Sequence, residues 1–500
     1  MCGIVAEHGR SDPAALERML ERLKHRGPDD QGSVSVNGSW LGHQRLSIVD
    51  LESGKQPLVS GDGDLWLVGN GEVYNHLDVR VRLDEDTFQT SSDNEVALHL
   101  IDDGGPKALA ELNGMFAFVV AGEDGRFVAA RDPVGIKPLY WAHRNGSVRF
   151  ASEMHAYDDD WRPYVEPFPP GCSWTPQHGL VRFASAVPDR PVDPPPAPED
   201  ILPGTRDVLI DAVKRQLMGD VPVGVFLSGG LDSSLVAAIA AKVLADRGET
   251  LQTFAVGSDG SPDLAAARRV ADYIGSQHYE TTYTAEDALK SLPQVVRAIE
   301  SFDPGLVRSA VPNFMLSRLT VQHVKVVLTG EGADELFAGY EYMQEFQEPD
   351  ALHAELVRTL RNLHNHNLQR CDRVTMAHGL EARVPFLDQK VIEWAMRIPA
   401  ELKISGPDRP EKKLLREAFE GWLPHDLLWR VKAEFGDGSG ARDALSSAVE
   451  AQVSADEFEA ERNAVTPPLR TREEAYYHRI FHEHLGGVRA EVAISRHATA

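Results

Sequence analysis

Only three cysteines occur in 500 residues, and Cys2, Cys172 and Cys371 stand far apart with no Cys-x-x-Cys pair. That excludes a disulfide framework and disfavours a zinc centre. No apolar run approaches the roughly 20 residues a membrane-spanning helix needs. Positive charge is scarce as well: 51 lysines and arginines face 76 acids, a net charge of −25. A surface that negative repels nucleic acid and anionic membranes, so small molecules are the expected partners. The amino terminus, Met-Cys-Gly-Ile-Val, lacks the basic-then-apolar order of a signal peptide, and a reducing cytoplasm is the expected setting. What remains is ordinary. A content of 42% hydrophobic and 25% charged residues suits a folded chain, and its length is too great for one core.

The densest chemistry lies at Leu227-Ser228-Gly229-Gly230-Leu231-Asp232-Ser233-Ser234. The apolar run Val223 to Leu227 does not alternate and reads as a buried parallel strand. Ser228-Gly229-Gly230 interrupts it, and the alanine-rich stretch Leu235 to Leu244 reads as the following helix. Strand, glycine turn and helix N-terminus make an anion site, because free N–H groups and the helix dipole converge on the turn. Two serines add donors, and Asp232 adds a carboxylate able to hold Mg2+. The spacing is not Gly-x-x-x-x-Gly-Lys-[Ser/Thr], which excludes a P-loop. Instead the run resembles the pyrophosphate loop of enzymes that split ATP into AMP and pyrophosphate.

Cys2 alone reads as a small buried hydrophobe. Its company changes that. Removal of Met1 would leave a thiol and an α-amine on one residue, and an amine of pKa near 8 can serve as its base. Downstream lie His25-Arg26-Gly27-Pro28-Asp29-Asp30, then Gly42-His43-Gln44-Arg45-Leu46-Ser47-Ile48-Val49-Asp50. Gly69-Asn70-Gly71-Glu72-Val73-Tyr74-Asn75 and Ser91-Ser92-Asp93-Asn94-Glu95 follow. In order and spacing these resemble the class II glutamine amidotransferases, N-terminal-nucleophile glutaminases, over residues 1–155. The resemblance implies Cys2 as nucleophile, and the Asn70 side chain and Gly71 N–H as the oxyanion hole. It gives Arg45 to the substrate carboxylate, and Glu72 and Asp93 to its amine. Taken singly, Arg45 and Asp93 read better as surface ion pairs, and it is the ordered set that displaces that reading.

Six prolines between Val187 and Pro198 mark a semi-rigid connector. Beyond it a helix is expected over 201–219, and strands alternate with helices as in a doubly wound parallel sheet. Ligands of such sheets sit beyond strand carboxyl ends, where Ser228, Gly257, Thr329 and Gly330 fall. Thr329-Gly330-Glu331-Gly332-Ala333-Asp334-Glu335-Leu336-Phe337-Ala338-Gly339-Tyr340, Glu381-Ala382-Arg383-Val384-Pro385-Phe386-Leu387-Asp388 and Trp429-Arg430-Val431-Lys432 complete the pattern. With them the chain resembles the glutamine-dependent asparagine synthetases, the bacterial B type in particular, from Cys2 to about Tyr477.

That resemblance implies an α+β N-terminal-nucleophile sandwich (αββα) followed by an α/β doubly wound ATP pyrophosphatase domain. The domains are expected at 1–187 and 199–480, with a linker at 188–198 and a polar, frayed tail at 481–500. Glutamine, ATP and aspartate are the implied substrates, and family members are often homodimers. ATP is assigned to Leu227, Ser228, Gly229, Gly230, Asp232, Ser233, Ser234, Val256, Gly257, Thr329 and Gly330. Asp232 and Asp334 are assigned to Mg2+, and Glu331, Tyr340 and Lys432 to the reacting centre. One stretch departs from the family: Gly305-Leu306-Val307-Arg308-Ser309-Ala310-Val311-Pro312 keeps Arg308 but has Gly305 where the family has a threonine that touches the acid substrate. A different carboxylic acid, amidated by the same adenylation, is therefore a second reading. Closure of a β-lactam ring, or a non-enzymatic nutrient sensor, would leave one of the two residue sets without a task.

Overall fold

A computed structural model describes residues 2–10, 12–83, 87–187, 194–406, 409–431 and 441–495. The strand Gly114–Gly122 explains the layering of the first half. Its large residues, Phe116, Phe118 and Val120, pack with Val96 and Leu98 of the helix Glu95–Gly104. Its smaller ones, Ala117, Val119 and Ala121, pack with Ile4, Ala6 and Leu41 of the facing sheet. Val5, between Ile4 and Ala6, points the other way and joins Leu16 and Leu20 of the helix Pro13–Glu21. Period-two alternation in both sheets thus produces helix, sheet, sheet, helix. Each sheet is six-stranded and antiparallel, one holding Gly3–His8 beside Ser39–Arg45, the other Leu65–Val73 beside Gly114–Gly122. The αββα sandwich is as expected.

In the second half, five strands run parallel in the spatial order Gln277–Thr282, Gln252–Gly257, Val223–Phe226, Val326–Leu328, Glu381–Arg383. The chain order reverses at Val223–Phe226, so the crevice opens between that strand and Val326–Leu328. The helix Pro198–Gln216 starts three residues earlier than expected, with Pro198 in its first turn, where the missing N–H costs nothing. Residues 188–193 of the proline-rich connector lie outside the described residues. No helix among the described residues is long and apolar enough to cross a membrane.

The tail is a correction. After the helix Arg472–Leu485, the residues Leu485, Val488, Ala490, Ala493 and Ile494 are buried, and Ser301 Oγ donates to Ala493 O at 2.6 Å. Arg489 pairs with Glu166 of the first half at 2.9 Å. These apolar residues follow no regular period, so the sequence shows only a polar stretch; their burial comes from docking onto a preformed surface.

Ion pairs join the halves. Arg26 binds Glu153 and Asp372, while Arg373 binds Glu153 at 2.9 Å and Glu300 at 3.2 Å. His155 Nδ1 lies 2.8 Å from Glu300 Oε1 and its Nε2 3.1 Å from Arg22 O. Both ring nitrogens therefore face acceptors, which favours the imidazolium form. Burial opposes that charge, but the hydrogen bond to Glu300 and the charges of Glu153 and Glu300 outweigh it, raising the pKa above the ordinary histidine value. A raised folded-state pKa adds stability that is complete below the unfolded value and is lost as pH climbs through the folded one. The expected result is a thermal midpoint whose fall above about pH 6.5 is shallower in His155→Gln than in the parent protein. Differential scanning fluorimetry across pH reads it, and parallel curves would refute the charged ring.

Candidate active site

Two clusters of polar groups stand apart in the fold. The first surrounds Cys2, buried at the start of the strand Gly3–His8. Antiparallel pairing of Gly3 with Gln44 brings Arg45 alongside it. Cys2 N donates to Asn70 Oδ1 at 2.9 Å, which fixes the amide. Asn70 Nδ2, fully buried, has no hydrogen-bond partner among the described residues and is a donor waiting for an acceptor. Gly71 beside it has φ +153°, and a Cβ there would sit 1.9 Å from Met115 O, so only glycine serves. Arg45 is anchored by the carbonyls of Val49 and Asp50 at 3.3 and 2.5 Å.

Burial pushes the Cys2 thiol up; the amino-terminal charge, the Leu46 backbone and Arg45 oppose it without cancelling it. A thiol held protonated needs a local base, the role expected of its own amine once Met1 is removed. Burial also raises Glu72, with the charges of Glu381 and Asp93 adding to it, and burial raises Asp93 against the N–H of Val73. Two buried carboxylates under mutual repulsion make a site that a substrate ammonium would relieve.

The second cluster lines a cavity of about 320 Å³ at the crevice of the parallel sheet. From the sequence assignments it gathers Leu227, Ser228, Gly230, Asp232, Ser233, Val256, Thr329, Gly330, Glu331, Asp334, Tyr340, Gly305 and Arg308. Gly229, Ser234 and Gly257 do not line it. Gly229 shapes the turn instead: its φ is +76° and a Cβ would meet Ala267 N at 2.7 Å. Ser234 faces the core behind the loop, and Gly257 packs on Leu264 and Ser261. Lys432 lies outside the described residues. Arg308 Nε donates to Pro304 O at 3.1 Å, while Ser309 Oγ is taken by the carbonyls of Gly305 and Leu306. The one hydroxyl gained in the altered stretch therefore serves the helix.

Among the cavity residues that sequence reasoning missed are Lys412, Arg370, Arg430 and Glu335. Lys412 Nζ bridges Asp232 at 2.5 Å and Asp334 at 2.7 Å, so those carboxylates already converge on one cation position. The two acids and the pyrophosphate-type loop make a donor set that fits Mg2+. The signal for Lys412 was present: a lysine at a helix N-cap opposes the dipole, and here it has φ +53°. Arg370 pairs with Glu331, and Arg430 binds Gly229 O and Asp263. Glu335, on the cavity wall, accepts from Tyr340 OH at 2.6 Å, and burial with the Asp334 charge pushes it up to about 7.

A buried amino-terminal thiol in an αββα sandwich, joined to a parallel sheet with an anion loop, defines a two-centre chain of the glutaminase-plus-synthetase class. A glutamine amidotransferase domain matches residues 1–165, and an asparagine synthase domain matches residues 204–348 and 343–498. The probable glutamine-hydrolysing asparagine synthetase of Schizosaccharomyces pombe is 40% identical over 96% of this chain and 92% of its own. The enzyme of Asparagus officinalis is 40% identical over 97% and 85%, and asparagine synthetase 3 of Arabidopsis thaliana 42% over 88% and 79%. The chain belongs to the glutamine-hydrolysing asparagine synthetase family.

Proposed function

We propose that this protein forms asparagine from aspartate, glutamine and ATP, releasing glutamate, AMP and pyrophosphate. The carrying observation is the co-occurrence of the two clusters in one chain of this family. In the first, the Cys2 thiol attacks the glutamine amide carbon after its proton passes to the α-amine freed by loss of Met1. Asn70 Nδ2 and Gly71 N–H receive the oxyanion, ammonia leaves, and water hydrolyses the thioester to glutamate. Arg45 holds the glutamine carboxylate, and Glu72 and Asp93 its amine.

In the second, the loop of Ser228, Gly230 and Ser233 cradles ATP phosphates, with Leu227, Val256 and Gly330 beside the nucleoside. Arg308 orients the acid, whose side-chain carboxylate attacks the α-phosphorus and displaces pyrophosphate. Adenylation is needed because a free carboxylate is a poor electrophile. Ammonia then attacks the acyl carbon, AMP departs, and Glu331 accepts the surplus proton, with Tyr340 and Lys432 near the reacting centre. Asp232 and Asp334 are the residues that would hold Mg2+, which would supply positive charge to the departing pyrophosphate beside Lys412. Incubating the protein with 15N-amide glutamine, ATP and aspartate tests this: label in asparagine with stoichiometric AMP supports it, and ADP formation refutes it.

A further inference from the structure

We propose that Arg383, from the synthetase half, is a positioning residue of the glutamine site, holding Glu72 across the domain boundary. The inference rests on the glutamine-binding role proposed for Glu72. Arg383 ends the strand Glu381–Arg383, at the edge of the parallel sheet, and is fully buried. Its Nε donates to Glu381 at 2.6 Å and its Nη1 to the carbonyls of Gln216 and Met218 at 2.7 and 2.5 Å. These bonds lock the guanidinium plane. Nη2 is left 3.4 Å from Glu72 Oε2, and neither atom has a hydrogen-bond partner among the described residues. A buried guanidinium nitrogen and carboxylate oxygen so placed owe their compensation to each other. The same residue reaches the other centre through its main chain, because its carbonyl accepts the N–H of Thr329 at 2.9 Å, and Thr329 lines the cavity.

The groups facing Glu72 are Arg383 and Glu381 from this strand, Asp93 from the loop before Glu95–Gly104 and Tyr74 just past the end of Leu65–Val73; the amino-terminal charge acts on it as well. Burial, Glu381 and Asp93 favour the protonated acid, and Arg383 is the side-chain cation that opposes them. Without it the Glu72 pKa would rise further, weakening its attraction for the ammonium of glutamine. One half of the chain therefore supplies a counter-charge that opposes protonation of the other half's binding carboxylate.

The test compares Arg383→Met, Arg383→Lys and Glu72→Gln in the full chain, with glutamine hydrolysis followed across about pH 6 to 9 and ammonia-dependent synthesis in parallel. The expected result for Arg383→Met is a KM for glutamine raised about 10-fold or more, kcat changed by less than about 3-fold, and the acid limb of kcat/KM moved to higher pH. Ammonia-dependent kcat/KM stays within about 3-fold, and Arg383→Lys recovers most of the loss. Equal falls in both activities would mark Arg383 as a structural tie of the sheet and overturn the inference. If the methionine variant does not fold, Arg383→Lys decides alone: the shorter cation should still move the acid limb measurably, and an unmoved limb and KM overturn it. Should Glu72→Gln leave the glutamine KM unchanged, the glutamine-site reading itself fails and this inference with it. A raised KM in Glu72→Gln beside unaffected arginine variants fails the inference alone.

Discussion

Cys2→Ala is expected to reduce glutamine hydrolysis by at least about 10³-fold while asparagine formation from added ammonia continues within about 2-fold. The asymmetry follows from the architecture. Cys2 and Asn70 belong to the two antiparallel sheets, whereas the cavity that holds Glu331 and Asp334 is built on the parallel sheet. Alanine removes one sulfur from a buried position, so the Cys2 N–H to Asn70 contact and the sandwich should both survive. Assaying both nitrogen sources on one preparation separates the outcomes. If the ammonia reaction fell with the glutamine reaction, the division between the centres would be wrong.

The second large effect is expected at Lys412. Lys412→Met should lower synthesis from either nitrogen source by about 10² to 10³-fold, the range for loss of one charged group aimed at developing charge. Glutamine hydrolysis should stay within about 2-fold. Lys412 is buried between Asp232 and Asp334, and their charges raise its pKa despite the burial, so it is a fixed cation at neutral pH. Methionine keeps the length and removes the charge, leaving two carboxylates facing each other and the pyrophosphate. Pyrophosphate release from ATP and aspartate is the readout. An unchanged rate would show that Lys412 serves folding only, which thermal denaturation would reveal separately.

The residues proposed for glutamine came from a family resemblance carried by short contiguous runs, not from the chemistry of any one residue. Asn70, Gly71 and Glu72 share one strand, and Cys2 sits directly before another. The pyrophosphate loop was legible directly: strand, glycine turn and helix are contiguous, and Gly229 has the positive φ that such a turn demands. Arg370 was not, and Lys412 only as a lysine at a helix N-cap, since each acquires its role from a distant partner; Glu335, close in sequence to Asp334 and Tyr340, takes its raised pKa mainly from burial. Lys412 is 180 residues from Asp232, and Arg370 is 39 from Glu331. The tail was misread for a related reason: Val488 and Ile494 are buried in a stretch held by partners as distant as Ser301, bonded to Ala493, and Glu166, paired with Arg489.

Period and contiguity therefore determined part of this from the sequence alone: two halves, the parallel sheet and the strand–turn–helix loop; the sandwich and the role proposed for Cys2 came only with the family resemblance. The former depend on backbone geometry and on neighbours a few positions away. Tertiary structure decided the charges. Whether Glu72, Glu335, Lys412 or His155 carries one depends on desolvation and on partners that only folding brings near, and no spacing rule records that.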